Sequence, residues 1–178
     1  MKEKELLKEL DIKIIIERLC QELIEHHDNF NNTVIVGLQP RGTLLKNRIL
    51  ENLSKKRKDI RSGNIDISFY RDDLRRREKP IIPNVMDMDL TVEGKEVVLV
   101  DDVLYTGRSV RSAIDALMTF GRPKSVELLV LIDRKFSRDL PIQANYIGKR
   151  IDVLEKQKVI VEWNEISGKD RIVMSNFG

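Results

Sequence analysis

The sequence predicts an α/β protein with a mainly parallel central sheet flanked by helices. Two observations lead to this prediction: short apolar segments rich in β-branched residues alternate along the chain with segments of helical periodicity, and the short segments are almost continuously apolar. Strands without polar positions are typical of a parallel sheet that helices cover on both faces. The chain has 178 residues and no linker rich in Pro, Gly or Ser, so we expect one domain over residues 1–178.

The elements of the first half follow in chain order. An i, i+3, i+4, i+7 pattern of apolar residues predicts a helix from Leu6 to about His27. The β-branched run Thr33–Gly37 predicts a buried strand, and the loop Leu38–Gly42 leads into a second amphipathic helix over 44–53. Alternation from Asn64 to Phe69 predicts the next strand.

The second half begins with residues 71–90, which are rich in charge and proline and which predict a long loop, either functional or disordered. A polar loop is expected over Asp101–Ser109, followed by a helix from Val110 to Gly121, whereas the tail Glu165–Gly178 has little apolar pattern. Further strands are predicted at three apolar runs: Glu96–Val100, Val126–Ile132 and Val159–Trp163.

Composition excludes several kinds of site. The single cysteine, Cys20, excludes an intramolecular disulfide and a thiolate metal cluster, and the two histidines, His26 and His27, leave little for a histidine metal site or a Ser–His triad. No apolar run approaches the roughly 20 residues of a membrane helix and no secretion signal is recognisable, so we expect a cytoplasmic protein without a membrane partner. A net charge of +3 is too small to indicate a nucleic-acid binder, and no DNA partner is expected.

The segment Val97–Ser109 is the most informative for chemistry. Its apolar strand delivers Asp101 and Asp102 to the carboxyl end, where ligands bind in open α/β sheets. Carboxylates at such a place suit sugar hydroxyls or a hydrated Mg²⁺. Thr106-Gly107-Arg108-Ser109 then opens a helix, whose free N–H groups and hydroxyls suit a phosphate. Together these features predict a ribose 5-phosphate site.

This segment resembles the phosphoribosyl-pyrophosphate (PRPP) signature of type I phosphoribosyltransferases in its apolar strand, its acid pair and its Thr-Gly-x-Ser/Thr loop. The resemblance implies that family's fold, with a small hood subregion and a mobile loop beside the parallel sheet. It implies that the two aspartates hold the ribose hydroxyls, with Mg²⁺ on the substrate and the same aspartates as candidate metal ligands. The implied PRPP-binding residues are Gln39, Pro40, Arg41 and Gly42, then Asp101, Asp102, Val103, Leu104, Tyr105, Thr106, Gly107, Arg108 and Ser109.

Asp66–Leu74 and Leu140–Lys149 resemble the PyrR family, bacterial attenuators of pyrimidine operons that also act as uracil phosphoribosyltransferases. The implied reaction is uracil + PRPP → UMP + diphosphate, under a loop, Tyr70–Leu90, that folds over the site. Purine enzymes usually carry an acid where this chain has Tyr105, which favours uracil. The implied catalytic residues are Arg41, Arg71, Asp101 and Asp102, and the implied uracil-binding residues are Asp133, Arg134, Tyr146, Ile147 and Gly148.

The resemblance also implies binding of a messenger-RNA leader in response to UMP, and assembly into a homodimer or a higher homo-oligomer. However, Glu17, Gln21 and His26 stand where PyrR proteins typically place a threonine, a histidine and an arginine, and a carboxylate facing RNA phosphates weakens binding. Two alternatives therefore remain open: an RNA-binding nucleotide sensor with little catalysis, and a phosphoribosyltransferase for another base. The candidate RNA-binding residues are Arg18, Lys135, Arg138, Lys149 and Arg150.

Overall fold

The structure is a computed structural model that describes residues 3–67, 91–153 and 157–176. A short 3₁₀ helix, Met118–Phe120, follows the third α-helix. In chain order the elements of the described residues are β1 (Glu3–Lys8), α1 (Glu9–His27), β2 (Thr33–Leu38), α2 (Arg41–Ser54), β3 (Arg61–Ile65), β4 (Glu96–Leu104), α3 (Arg108–Leu117), β5 (Ser125–Lys135), β6 (Tyr146–Asp152), β7 (Gln157–Glu162), α4 (Asn164–Ser167) and β8 (Arg171–Asn176).

The predicted parallel sheet is confirmed. Five strands lie in the order β3-β2-β4-β5-β6, and each neighbouring pair is parallel. One face of this sheet packs against α1 and α2, through residues such as Ile35 and Val98, and the other face packs against α3, through residues such as Val36 and Leu99. These four side chains are fully buried, as expected for strands that are apolar on both faces.

A second, antiparallel sheet of three strands has the order β1-β8-β7 and forms the small subregion expected beside the central sheet. Its Val161 and Ile172, together with Trp163, pack in the same core as α1 and α2. Arg48 of α2 stacks on the Trp163 ring at 4.3 Å and pairs with Glu165 of α4 and with Asp170, which ties the helix to this sheet. A shared core supports the expectation of one domain, whose extent over residues 1–178 stays a prediction.

The predicted start of the first helix is wrong. Residues Glu3–Lys8 form strand β1, and the helix begins at Glu9. The reason is pairing with β8, in which Ile172 and Val173 are fully buried although the tail showed little apolar pattern. Local periodicity carries no information about a pairing strand more than 160 residues away in sequence. The predicted helix therefore extended too far towards the N-terminus.

Four strands also differ from prediction. Strand β4 continues to Leu104, because its pairing with β5 continues to that residue, so the expected polar loop from Asp101 shrinks to residues 105–107. Strand β3 lies earlier than Asn64–Phe69 because it pairs with β2 from Arg61, and residues 68–69 lie outside the described residues. The late strand Val159–Trp163 becomes β7 and joins the small sheet, whereas β6 was not predicted. No helix of the described residues is long and apolar enough to cross a membrane.

Candidate active site

The carboxyl ends of the parallel strands bring the predicted loops to one edge of the sheet. Leu104 at the end of β4 pairs with Asp133 of β5, and Asp133 pairs in turn with Arg150 of β6. The segments that follow β2, β4 and β5 therefore leave the sheet side by side. This is the edge at which open α/β sheets bind ligands.

Gly42 brings the first turn of α2 against β4. A Cβ atom at Gly42 would lie 2.2 Å from the carbonyl oxygen of Val100 and 3.1 Å from Cα of Asp101, so only glycine fits this contact. The sequence had suggested that Arg41 and Gly42 lie in the loop before this helix. The helix begins at Arg41, so both residues belong to its first turn. The two loops that were expected to converge on PRPP do meet, and Arg41 Nη1 lies 3.9 Å from Oδ2 of Asp102.

Asp102 is buried, Asp101 is half-buried, and the two carboxyl groups are incompletely bonded. Asp101 Oδ1 accepts a hydrogen bond from the amide of Asp102 at 2.9 Å, whereas Oδ2 of Asp102 is buried without a hydrogen-bond partner among the described residues. Burial raises the pKa of Asp101 well above its ordinary value, and the charge of Asp102 adds to the effect. Burial also raises the pKa of Asp102, although the Arg41 cation opposes the change. Such a pair can accept hydroxyl donors or a hard cation such as Mg²⁺.

The start of α3 offers backbone donors beside the acid pair. Gly107 precedes the helix with φ +89°, a conformation that favours glycine, and the first amide groups of any helix lack intrahelical partners. The helix dipole adds partial positive charge at the same place. The Arg108 guanidinium forms an ion pair with Asp139 at 2.9 Å, so backbone amides remain the main donors that this turn offers to an anion.

Asp133 and Arg134 lie beside this turn, as the predicted uracil site requires. The Arg134 guanidinium stacks on the Tyr105 ring, 3.9 Å from the ring centre, and its Nε is buried without a hydrogen-bond partner among the described residues. Burial lowers the pKa of Arg134 from its ordinary value, which Tyr105 opposes. Asp133 forms ion pairs with Arg138 and, at 3.6 Å, with Arg150.

Tyr146, Ile147 and Gly148 begin strand β6, where the Tyr146 hydroxyl and two of the carbonyl groups have partners within the fold. The Tyr146 hydroxyl is turned into a polar cluster, where it donates to Glu127 Oε2 at 2.6 Å and lies beside the histidine pair. The carbonyl oxygens of Ile147 and Gly148 accept from Arg18 at 2.9 and 2.7 Å. Tyr146 pairs with Leu129, at the start of β6 and two strands from β4. The reading of uracil by backbone groups near Tyr146–Gly148 stays a prediction.

The remaining candidates divide into three groups. Lys149 and Arg150 are exposed on β6, and Lys135 is exposed at the end of β5, where it pairs with Asp152 at 3.4 Å. Arg18 is exposed on α1 and donates to two carbonyl groups of β6, whereas the largely enclosed Arg138 guanidinium donates to carbonyl groups at the end of β4; their assignment to RNA stays a prediction. The catalytic candidate Arg71 and the loop Tyr70–Leu90 lie outside the described residues.

One buried cation near the site was missed. Lys46 of α2 is 5 % exposed, and its Nζ donates to Asn64 Oδ1 at 2.8 Å, which fastens α2 to β3. The sequence did contain a signal, because Lys46 stands three and seven residues before Ile49 and Leu53 and so shares their buried helix face.

Comparisons with known proteins agree with this geometry. The profile of the phosphoribosyl transferase domain matches residues 2–164. The chain is 42% identical over 176 residues to a protein of Enterococcus faecalis named bifunctional protein pyrR, with 98% of each chain covered. It is also 42% identical to bifunctional protein PyrR of Streptococcus pyogenes, with 97% of this chain and 96% of the relative covered. The chain belongs to the PyrR family of phosphoribosyltransferases.

Solved structures confirm the phosphoribosyltransferase fold of this PyrR-family chain. A hypoxanthine phosphoribosyltransferase from Staphylococcus aureus superposes with a TM-score of 0.73 at 21% identity, over 97% of this chain and 92% of that one. The hypoxanthine phosphoribosyltransferase of Trypanosoma cruzi gives 0.74 at 18% identity, over 97% and 96%. At these identities the likeness concerns the fold.

The raised pKa of Asp101 leads to a stability prediction. A carboxyl group with a higher pKa in the folded chain stabilises the fold most at low pH, and this contribution is lost as the pH rises through the raised pKa. Asp101→Asn should therefore raise the free energy of unfolding at pH 8 by about 1–3 kcal/mol, the usual cost of an unmatched buried polar group. The gain should shrink towards zero as the pH falls below about 3, where the carboxyl is mostly protonated in both states.

Urea denaturation measures this effect, followed by the fluorescence of Trp163, the single tryptophan of the chain. Asp115→Asn is the matched control, because Asp115 is exposed and paired with Arg111, and it should show no gain at either pH. An Asp101→Asn protein that is less stable than the wild type at pH 8 would contradict the prediction.

Proposed function

We propose that this chain transfers the phosphoribosyl group of PRPP to uracil, which gives UMP and diphosphate. The observation that carries the proposal is the acid pair Asp101–Asp102 between the first turn of α2 and the start of α3, with Oδ2 of Asp102 buried and without a hydrogen-bond partner among the described residues. Carboxylates for a diol and helix amides for a phosphate are what a ribose 5-phosphate group requires.

Each part of the site has a role in the proposed reaction. The acid pair accepts hydrogen bonds from the ribose hydroxyls, and the amides at the start of α3 bind the 5-phosphate. Arg41, 3.9 Å from Asp102, lies where a cation offsets the charge of the departing diphosphate while C1 of the ribose gains oxocarbenium character. No covalent intermediate is required, since the protein's contribution is positioning and charge stabilisation. Arg71 and a closing loop stay predictions.

Mg²⁺ fits this donor set. The free Oδ2 of Asp102 is a hard oxygen ligand of the kind that Mg²⁺ accepts, alone or through a metal-bound water. When bound with PRPP, the metal supplies charge neutralisation on the diphosphate and the ribose oxygens. Asp101 and Asp102 are the residues that would hold it.

Two observations favour uracil as the base. Tyr105 occupies a position at which purine enzymes usually carry an acid, and its ring is held by the Arg134 guanidinium. The buried Nε donor of Arg134 has no partner among the described residues, and uracil offers carbonyl oxygens that accept such a donor. The relatives named bifunctional protein PyrR support the same assignment. Another base remains the alternative, since the solved structures that share the fold include hypoxanthine phosphoribosyltransferases.

An assay of UMP formation tests the proposal. The purified chain with PRPP and Mg²⁺ should convert uracil to UMP and should leave hypoxanthine and adenine unchanged in competition. The double variant Asp101→Asn/Asp102→Asn should lose at least about 100-fold in kcat/KM, because several charge-assisted hydrogen bonds are lost together. Asp115→Asn, an exposed carboxylate on α3, should keep wild-type activity. A fully active double variant would refute the assignment of the ribose site.

A second function, RNA binding, is supported by one feature of the described surface. Lys149 and Arg150 are exposed on β6, an edge strand of the central sheet, and Lys135 lies beside them at the end of β5. This basic edge offers cations to a phosphate backbone. Helix α1 is less suited to bind RNA phosphates, because Glu17 is exposed there and the Arg18 guanidinium donates to a carbonyl group of β6. We therefore place the RNA contact on the basic edge.

Titration against the leader RNA of the cell's own pyrimidine genes, with and without UMP, tests this function. Lys149→Ala and Arg150→Ala should each weaken binding and reduce the slope of log K against log salt by about 1. Arg111→Ala is the control, since Arg111 is exposed on α3, away from β6, and it should bind as the wild type does. No binding by the wild-type protein at moderate salt, while UMP is formed, would refute regulation by RNA.

Self-association also stays a prediction. Leu10 and Ile14 are 67% and 57% exposed, four residues apart on α1, and so form a small apolar strip on the amphipathic first helix. Such a strip is compatible with packing against a second copy.

A further inference from the structure

The segment Arg138–Ile142, here called the brace, lies along the outside of the turn that follows β4. The Arg138 guanidinium reaches the last residues of that strand, where Nη1 donates to the carbonyl oxygens of Leu104 at 3.3 Å and Tyr105 at 2.6 Å. The next backbone amides continue the contact, since those of Asp139 and Leu140 donate to the carbonyl oxygen of Thr106 at 3.0 and 3.2 Å. Three successive carbonyl groups of the turn thus accept hydrogen bonds from the brace.

Arg138 is itself held in place from the other side. Its Nη2 pairs with Asp133 on β5, its Nε donates to the carbonyl oxygen of Ile142 at 3.0 Å, and Nη1 also reaches that of Arg134 at 3.1 Å. The side chain is only 23% exposed. One planar guanidinium therefore joins the end of β4, the end of β5 and the brace, which a flexible ammonium group cannot do from a single atom.

This arrangement decides which dipoles the turn presents to a ligand. In a trans peptide the C=O group and the following N–H group point in opposite directions. Because the carbonyl groups of Leu104, Tyr105 and Thr106 point to the brace, the amides of residues 105–107 point to the other side. An anion site needs N–H groups directed inward and carbonyl oxygens directed away, since a carbonyl lone pair repels a phosphate oxygen.

We infer that Arg138 is a positioning residue for the 5-phosphate site. It acts by holding the carbonyl groups of the turn away from the anion, without contacting the substrate. The inference rests on the proposed function, because it requires that the turn before α3 binds the 5-phosphate. It also gives Arg138 a role other than the RNA contact that the sequence suggested.

Calorimetry with two separate probes tests the inference: ribose 5-phosphate, which needs the turn before α3, and Mg²⁺-diphosphate, which needs Arg41 in the first turn of α2. The variant Arg138→Met should lose at least about tenfold in affinity for ribose 5-phosphate, with little change for Mg²⁺-diphosphate. In the assay the KM for PRPP should rise by a similar factor while kcat changes less than about threefold, because the phosphate is bound equally in the ground and transition states. Arg138→Lys keeps the charge but not the planar fork, so it should stay impaired.

Arg111→Met is the matched control, since it removes the same atoms from an exposed arginine on α3 and should bind both probes as the wild type does. The inference is overturned if Arg138→Met binds ribose 5-phosphate like this control, or if it loses both probes equally with a lower melting temperature. If Arg138→Met does not fold, Arg138→Lys provides the same comparison, and wild-type affinity there overturns the inference. A wild-type protein that binds ribose 5-phosphate but forms no UMP would refute the proposed function alone, and one that binds neither probe would refute both.

Discussion

The placement of two adjacent carboxyl groups near the end of β4, one buried and one half-buried, is the constraint on which the rest of the site depends. Asp102 is 7% exposed, and the Arg41 guanidinium is 3.9 Å away, too far for a short ion pair. Leaving such groups incompletely bonded lowers the stability of the fold, so the surrounding structure has to hold them. It does so because β4 is the central strand of the parallel sheet, packed on one face by α1 and α2 and on the other by α3. The unused bonding capacity is then available to a ligand.

The helices that flank β4 both begin at this edge. Helix α2 starts at Arg41 and touches β4 through Gly42, and helix α3 starts at Arg108, four residues after β4 ends. Two helix N-termini therefore lie near one pair of acids, which places positive dipole ends on either side of a negative centre. PRPP has the complementary pattern, with a neutral diol between two anionic ends. The arrangement explains how a chain with two histidines and one cysteine can carry out group transfer without a side-chain nucleophile.

The sequence allowed the parallel sheet and the acid pair to be predicted, because both depend on local patterns: β-branched runs, and two acids followed by Thr-Gly-Arg-Ser. It did not allow β1 to be predicted, since Leu6 and Leu7 fit a helical pattern and only the pairing with β8 shows that they belong to a strand. Long-range hydrogen bonds also give different surroundings to residues that look alike in sequence. Arg138 and Arg150 were both assigned to RNA, yet Arg138 is enclosed by carbonyl groups whereas Arg150 is exposed. Which acceptor a guanidinium reaches depends on the tertiary fold, not on its neighbours in the chain.

The placement of the base is less constrained by these contacts than the placement of the ribose and its phosphate. The Arg134 guanidinium stacks on the ring of Tyr105, in the turn that follows β4, whereas the Tyr146 hydroxyl bonds to Glu127.

The most direct measurement is a crystal structure of the chain with ribose 5-phosphate and Mg²⁺. The account predicts the phosphate within hydrogen-bond distance of the backbone amides around Thr106–Ser109, with the ribose hydroxyls on Asp101 and Asp102. A phosphate bound elsewhere, or ribose hydroxyls that make no contact with either aspartate, would contradict it.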